Sequence, residues 1–300
     1  MSIIVPELDQ APSPQPQLGP SRRVGSTRWL AWLIPLLACA YVGVVILLPA
    51  LTVVVAAFAK GLAPFLQNFE SSELLSAIRL SLVEMAIAVP ANCIFGLAAA
   101  VAIARKQFRG KALLLSIIDL PFSISPVVVG LMLVLLYSPT NGLLGGVVSS
   151  LGWKILFSWP AMALATIIVT FPFMAREVIP LLEEEGWEQE EAARTLGASN
   201  WQVFWKVTLP SVRWAALYGL ILTTARALGE FGAVSVVSGN IRGETQTLPL
   251  FVEDAYKQYN TELAYGAAVV LMSVALVSLL LKLVVEHIIE RDRHAGGEQS

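Results

Sequence analysis

The stretch EAARTLGASNWQVFWKVTLP, residues 191–210, is a polar segment between two long apolar segments. Connections between membrane-spanning helices are usually short and featureless. A polar connection of this length predicts a small folded structure on one face of a membrane. We therefore expect another protein to dock on it.

The rest of the chain has the composition of a multi-spanning membrane protein. Of its 300 residues 56% are hydrophobic and only 14% are charged, which is atypical of a soluble domain. We predict six candidate helices, each longer than the ~20 residues needed to cross ~30 Å of hydrocarbon. They span residues 29–58, 74–104, 112–137, 159–180, 211–237 and 263–289. The predicted fold class is an all-α integral membrane protein with six transmembrane helices and a cytoplasmic two-helix loop.

The two ends of the chain differ from its middle. Residues 1–28 are polar and proline-rich, which predicts a disordered tail, and residues 291–300 form a second tail. The segment 29–58 is too long for a signal-peptide core and lacks a small-residue cleavage site, so we expect a retained helix. Cys39 and Cys93 fall in apolar segments and are interpreted as packing residues. No metal site is expected.

Lysine and arginine predict the orientation. Fourteen of the twenty lie in the N-terminal tail, in 105–111, in 176–213 and near the C-terminus. Five lie in the alternate segments, and Arg226 lies within a span. Because cytoplasmic segments carry the excess of basic residues, both tails and the 181–210 loop are predicted to be cytoplasmic.

Within residues 181–210 the sequence predicts two short helices. Gly197 suits the left-handed position that ends the first one, and Ser199 with Gln202 fits a capping box that starts the second. Trp201, Phe204 and Trp205 have the i, i+3, i+4 spacing of one helix face. These aromatic residues either anchor the loop at the membrane surface or insert into a groove of a soluble partner.

The same stretch resembles the "EAA" loop of importer-type ABC permeases. The pattern is Glu-Ala-Ala, three residues, Gly, nine residues, then Ile-x-Leu-Pro. Here it reads Glu191-Ala192-Ala193, Gly197 and Val207-Thr-Leu209-Pro210, with Val207 where the pattern prefers Ile. The resemblance implies a coupling helix that seats in the cleft of an ATP-binding subunit, with Glu191 paired to a basic residue there. The predicted docking residues are Glu191, Ala192, Ala193, Gly197, Trp201, Phe204, Leu209 and Pro210.

The chain has no Gly-x4-Gly-Lys-Ser/Thr loop for ATP phosphates, because Gly110-Lys111 is followed by Ala and lacks the upstream glycine. We therefore predict a transport subunit without an ATPase site of its own. It is expected to bind no cofactor, while a partner ATPase uses ATP and Mg²⁺.

Ionisable residues inside spans are costly and indicate functional sites. Arg226 and Glu230 have the spacing of an intrahelical salt bridge. They also fall in the periplasmic half of their span, where a solute would pass. Gly229 and Gly232 could thin or bend that helix. A break is predicted in the third span. The predicted path or gate residues are Arg226, Gly229, Glu230, Gly232, Asp119 and Pro121. Pro126 adds to the break, and Glu84 is interpreted as a packing or pairing residue.

A second resemblance concerns the substrate. Residues 225–250, ARALGEFGAVSVVSGNIRGETQTLPL, look like the corresponding stretch of sulfate and molybdate permeases, and the W-type subunits of sulfate/thiosulfate importers match SGNIRGET best. Residues 119–130 fit the same group, and the likeness covers about 70–290. It implies a type-1 ABC transporter transmembrane domain in the bacterial inner membrane.

The partners implied by this resemblance are two copies of an ATP-binding subunit, a second related permease and a periplasmic sulfate-binding protein. The binding protein is expected to dock near 237–262. Membrane lipid surrounds the chain, and no nucleic acid is expected.

Two alternatives remain open. A permease for molybdate or another oxyanion would resemble this one, with homodimeric assembly expected for molybdate. An ion-coupled secondary transporter needs a carboxylate relay, which Glu84, Asp119 and Glu230 could supply, and often an inverted repeat, which the sequence lacks. A membrane-embedded enzyme is disfavoured because no metal-binding His/Glu spacing or activated nucleophile is present.

Overall fold

The computed structural model describes residues 28–297, with side chains described for 32–288. Every regular element in that part is helical. The α-helices are α1 (Arg28–Val42), α2 (Leu48–Ala57), α3 (Leu62–Gln67), α4 (Ser72–Ala104), α5 (Lys111–Ser123), α6 (Pro126–Tyr137), α7 (Gly145–Ser150), α8 (Trp159–Glu185), α9 (Glu188–Thr195), α10 (Asn200–Val203), α11 (Leu209–Ser211), α12 (Arg213–Leu228), α13 (Gly232–Val237), α14 (Leu248–Lys257) and α15 (Thr261–Gly297). Two π-helical turns (Gly43–Leu47 and Phe204–Thr208) and one 3₁₀ turn (Asn68–Glu70) join some of them.

The chain divides into two units, residues 1–51 and 52–300. The predicted disordered tail lies outside the described residues, apart from Arg28. Helix α1 passes through a π-helical turn into α2, and residues Trp32–Ala57 form one apolar stretch long enough to cross a bilayer.

Four of the predicted spans are single helices with the length and hydropathy to cross a membrane. They are Trp32–Ala57, Ser72–Ala104, Trp159–Glu185 and Thr261–Ile288. Their bounds lie within a few residues of the predicted ones except at the end of α8, which continues five residues further. The protein is therefore an all-helical membrane protein.

The predicted third span is broken. Its two halves, α5 and α6, meet at an angle of 109°. Ile124 and Ser125 between them have extended backbone conformations, because a residue before proline, here Pro126, disfavours the helical conformation. The predicted break is confirmed at Pro126, whereas Pro121 lies inside α5.

The prediction of one continuous helix over 211–237 is wrong. Helix α12 ends at Leu228, and the six-residue α13 starts at Gly232. At 1.5 Å per residue α12 is about 24 Å long, shorter than the ~30 Å hydrocarbon core. Among the described residues, four single helices and one bent pair qualify as spans. Six spans are thus not confirmed.

The interior of the second unit is built by close helix contacts at small residues. A Cβ at Gly96 of α4 would lie 2.8 Å from the Cβ of Met174 of α8, and one at Gly219 of α12 would lie 3.2 Å from the Met174 sulfur. A Cβ at Gly130 of α6 would lie 2.7 Å from the Ala233 carbonyl oxygen. Because glycine stands at these three positions, close approach is possible among α4, α8 and α12, and likewise between α6 and α13.

Candidate functional site

Residues 181–210 contain the end of α8, the helices α9 and α10, the π-helical turn Phe204–Thr208 and the start of α11. Helix α8 ends at Glu185, and α9 begins at Glu188. The first turn of α9 carries Glu188, Glu190 and Glu191. Of these three, Glu190 is buried and the other two are exposed.

Gly197 ends the first helix in the predicted conformation. Its φ is +89°, a left-handed backbone that glycine adopts without steric cost. Its N–H donates to the Arg194 carbonyl at 2.9 Å, and the N–H of Ala198 donates to the Ala193 carbonyl at 3.1 Å. These two bonds form a Schellman motif, which fixes the angle between α9 and the next helix.

The predicted capping box is also present. The Ser199 hydroxyl accepts from the N–H of Gln202 at 3.3 Å, and the Gln202 side chain accepts from the N–H of Ser199 at 2.8 Å. Both bonds satisfy donors that a helix start leaves unpaired. After α10 the chain widens into the π-helical turn Phe204–Thr208, a feature that the sequence did not predict.

The three aromatic residues of the loop form one cluster, as their spacing predicted. Ring centroids lie 6.3 Å apart for Trp201 and Phe204, 5.5 Å for Trp201 and Trp205, and 5.3 Å for Phe204 and Trp205. Trp201 is 69% exposed, and Leu196, which was not predicted as a site residue, is 89% exposed. Large apolar side chains exposed together on a polar loop indicate a contact surface.

The remaining predicted docking residues differ in exposure. Glu191, Ala192 and Pro210 are exposed, while Ala193 and Leu209 are half-buried. The Glu191 side chain is therefore accessible to solvent.

Glu190, the preceding residue, is buried instead. Its side chain is 5% exposed. Its Oε1 accepts from Nε of Arg105 at 3.0 Å and from the hydroxyl of Thr208 at 2.8 Å. No signal in the sequence separates Glu190 from the other glutamates, because its partners come from distant parts of the chain.

Arg226 and Glu230 form the ion pair that their spacing predicted. Nη1 of Arg226 lies 2.6 Å from Oε2 of Glu230. Arg226 stands in the last turn of α12, and Glu230 lies in the break. Oε1 of Glu230 accepts from the N–H of Ala233 at 2.9 Å and so caps α13. The Arg226 side chain is 32% exposed and that of Glu230 is fully buried.

The two glycines beside this pair have different settings. Gly229 has φ −93°, an ordinary value for any residue, and lies where α12 ends. Gly232 starts α13, and a Cβ there would lie 3.0 Å from the Cβ of Pro126. Gly232 therefore allows α13 to approach the bend before α6.

Asp119 belongs to a different ion pair. Its Oδ1 accepts from Nε of Arg176 at 2.7 Å, and the guanidinium of Arg176 lies 4.6 Å from the centre of the Phe122 ring. This contact joins α5 to α8. The structure therefore does not bring Asp119 and Arg226 into one ion pair, although both are predicted path residues.

A buried polar row lies between α4 and α8. Glu84 accepts a short hydrogen bond from the Thr166 hydroxyl, and Asn92 donates to Thr170 at 2.6 Å. Among the described residues no cation lies within ion-pair distance of Glu84. Hydropathy alone did not predict this row, since only Glu84 stood out.

A further polar cluster joins the loop after α13 to α14. Nε of Arg242 donates to Asp254 at 2.9 Å, and Gln246 donates to Asn240 at 3.1 Å and to Asp254 at 3.2 Å. Partial burial acts to raise the pKa of Asp254, but hydrogen bonds from Gln246, Gln258 and Arg242, with the charge of Arg242, outweigh it. The pKa of Asp254 therefore lies below its ordinary value. Within the described residues no group of three or more His, Cys, Asp or Glu is placed to hold a metal ion.

Comparison with known proteins identifies relatives over most of the chain. The chain is 60% identical over 269 residues to the sulfate transport system permease protein CysW of Synechococcus elongatus, covering 88% of this chain and 94% of the relative. It is 47% identical to CysW of Escherichia coli K12 (87% and 89% covered) and 35% identical to the sulfate transport system permease protein CysT of the same organism (81% and 86% covered).

The fold has a solved counterpart. A chain of a bacterial alginate ABC transporter, crystallised with an alginate-bound periplasmic protein, matches with a TM-score of 0.72 at 19% identity, over 88% of this chain and 94% of that one. At this identity the match speaks for the fold alone. Residues 93–294 match the family model described as the binding-protein-dependent transport system inner membrane component. The chain belongs to this family of ABC transporter permeases.

Proposed function

We propose that this chain is the membrane-spanning permease subunit of an ATP-driven ABC importer that moves sulfate or thiosulfate across the bacterial inner membrane. The observation that carries the proposal is the identity of 47% to 60% with sulfate permeases over more than four fifths of the chain. Residues 225–250, on which the substrate prediction rests, lie within the family match.

The 181–210 loop is the part proposed to receive the ATP-binding subunit. Its exposed residues combine one charge, Glu191, with the apolar side chains of Leu196 and Trp201. Buried apolar and aromatic anchors contribute most of the free energy of protein association. The Schellman motif at Gly197 and the capping box hold these side chains in one arrangement before binding, which reduces the entropy that docking costs.

The proposed complex has two ATP-binding subunits, a second related permease and a periplasmic sulfate-binding protein. Both termini and the 181–210 loop lie in the cytoplasm, and residues 237–262 face the binding protein. The bent pair α5–α6 and the interrupted pair α12–α13 are proposed as the third and fifth of six spans. The similarity to both CysW and CysT supports a pair of related permeases.

In the proposed cycle, ATP with Mg²⁺ draws the two ATP-binding subunits together, and the docked loops follow. This movement turns the helix bundle outward-facing, and ATP hydrolysis returns it to its starting state. The partly exposed Arg226 attracts the anion. Its contact with Glu230 compensates its charge, so that the anion passes without being held tightly.

Uptake by the reconstituted complex tests this function. Vesicles that contain this chain, the second permease and the ATP-binding subunit, with the binding protein outside, are expected to accumulate radiolabelled sulfate only with ATP inside. Excess thiosulfate should compete. Uptake that persists without ATP under an ion gradient would favour a secondary transporter. Two results together would contradict the substrate assignment. Copurification would recover this chain as the sole permease species, and the vesicles would take up molybdate and not sulfate.

A further inference from the structure

Arg105 stands where α4 ends, at the base of the 181–210 loop. It is the C-cap residue of α4, and its own N–H donates to the Val101 carbonyl at 3.0 Å. Its side chain is 13% exposed. Nη1 donates to the Leu182 carbonyl at 2.6 Å, and Nε donates to Glu190 at 3.0 Å. One guanidinium thus joins the end of α4 to α8 and to α9.

Glu190 carries the connection into the second half of the loop. The same oxygen that accepts from Arg105 also accepts from the Thr208 hydroxyl at 2.8 Å. Thr208 is buried and closes the π-helical turn that leads into α11. The other carboxylate oxygen lies 3.9 Å from Nη2 of Arg194, a half-exposed residue of α9. Glu190 therefore ties both halves of the loop to α4.

The packing below this network is apolar. Ile103 of α4, Leu182 of α8 and Val212, which precedes α12, are each at most 1% exposed and belong to one core cluster. A charge buried next to such a core is unfavourable unless it is paired and hydrogen-bonded. The Arg105–Glu190 pair meets both conditions, so one arrangement of loop and helices is strongly preferred.

An exposed pair nearby shows the contrast. Lys111 and Glu183 also approach closely, at 2.7 Å, but the Glu183 side chain is 45% exposed. Solvent can replace either partner there at little cost. In the Arg105–Glu190 pair the two side chains are only 13% and 5% exposed, so solvent replaces either partner less readily.

We propose that Arg105, Glu190 and Thr208 form a clamp that makes the 181–210 loop and α4 move as one body. Glu190 is then a positioning residue: it touches neither solute nor nucleotide but transmits the displacement of the docked loop to α4. Helix α4 is about 50 Å long at 1.5 Å per residue and carries Glu84 and Asn92 on its buried face. This inference rests on the proposed docking function of the loop.

The test uses the reconstituted complex and compares sulfate uptake with ATP hydrolysis. Glu190→Gln keeps the shape of the side chain and removes its charge. The variant complex is expected to assemble and hydrolyse ATP, while sulfate moved per ATP falls by at least about fivefold, the lower end of usual coupling effects. If sulfate moved per ATP is unchanged, the clamp is overturned. Equal losses of ATP hydrolysis and sulfate uptake give this same result, because a merely structural residue would lower both together.

Two further variants sharpen the test. Arg105→Gln should lower the ratio to a similar extent, and the double variant Arg105→Gln/Glu190→Gln should be no worse than either single one, because the residues act as a unit. Losses that multiply in the double variant would overturn the proposal. Glu183→Gln, which removes the exposed pair, should leave the ratio unchanged.

If Glu190→Gln does not accumulate in the membrane, Thr208→Val takes its place, since it removes one hydrogen bond to Glu190 at nearly constant volume. It should lower the same ratio, and a ratio equal to that of the unmodified complex would overturn the clamp. Failure of the proposed function is distinguishable: the unmodified complex would then show no ATP-dependent sulfate uptake.

Discussion

Arg226 and Glu230 approach each other to 2.6 Å at the point where α12 ends, with the carboxylate fully buried and the guanidinium one third exposed. Glu230 in addition accepts from the N–H of Ala233. The pair thus stabilises the interruption between α12 and α13, whatever further contact Arg226 makes with a solute.

Removal of Arg226 alone should be strongly destabilising. Arg226→Ala leaves the buried Glu230 carboxylate without its cation, and we expect a loss of about 3 kcal/mol, near the lower limit for breaking a buried pair. The double variant Arg226→Ala/Glu230→Gln should recover most of the lost stability. Thermal unfolding of the purified complex measures both changes, and Lys257→Ala, which breaks an exposed pair with Glu253, should cost under about 1 kcal/mol.

The double variant also separates the two roles of Arg226. With stability recovered, sulfate uptake should stay low if Arg226 attracts the anion. Full uptake would contradict the proposed path and leave Arg226 a purely structural residue.

Gly197→Asp should leave the protein in the membrane but uncouple it from the ATPase. A Cβ at Gly197 meets no atom of this chain within 4 Å, so within the permease the change costs only the left-handed strain of about 1–2 kcal/mol. On the proposed docking surface, the added side chain lies between the permease and the ATP-binding subunit. Copurification of the ATP-binding subunit and ATP-dependent uptake are the measurements.

Gly110→Asp is the matched control for that strain. Gly110 has φ +102° and is likewise free of neighbours within 4 Å, but it lies outside the 181–210 loop. It should show the same strain without loss of the ATPase. Equal uncoupling by both variants would refute docking at Gly197.

Trp201→Ala should weaken the ATP-binding subunit's association without destabilising the permease. The side chain is 69% exposed, so its truncation leaves no buried cavity, whereas loss of an aromatic anchor in an interface costs about 2 kcal/mol or more. Binding of the purified ATPase to permease in nanodiscs measures the effect. Trp153→Ala, at a position of similar exposure, is the control and should leave binding unchanged. If Trp201→Ala also leaves the affinity unchanged, Trp201 is better explained as an anchor at the membrane surface.

The 238–257 region should loosen in acid. The pKa of Asp254 in the folded protein lies below its ordinary value of 3.8. A lowered folded pKa gives a contribution to stability that is complete above the unfolded pKa and is lost as the pH falls through the folded one. Amide hydrogen exchange in this region should therefore accelerate below about pH 4 relative to its intrinsic rate. Asp254→Asn should remove this dependence, and an unchanged acid profile in that variant would show that Asp254 is not the group responsible.

Local signals in the sequence predicted local structure. Gly197 and the Ser199–Gln202 pair were predicted as a helix end and a helix start because the groups that satisfy the backbone there lie within a few residues. The break before Pro126 was predicted for the same reason. Hydropathy averaged over 211–237 concealed the interruption at Gly229–Phe231, because the residues on both sides are apolar.

Tertiary contacts were not predictable in this way. Glu190 and Glu191 are neighbours of identical type, and the EAA pattern drew attention to the second. Burial of the first depends on Arg105, 85 positions earlier, and on the wider π-helical turn that brings Thr208 to it. No periodicity or motif in the sequence contains that information.

The distance along the chain between Arg105 and Thr208 has a consequence for biosynthesis. During translation Arg105 leaves the ribosome long before Glu190 and Thr208 do. At roughly 5–20 residues per second, the chain between Arg105 and Thr208 takes on the order of ten seconds to synthesise. During that interval Arg105 lacks its folded-state partner Glu190, and the loop acquires its final shape only after α8 has been made. A nascent chain that stalls earlier presents no completed surface to an ATPase.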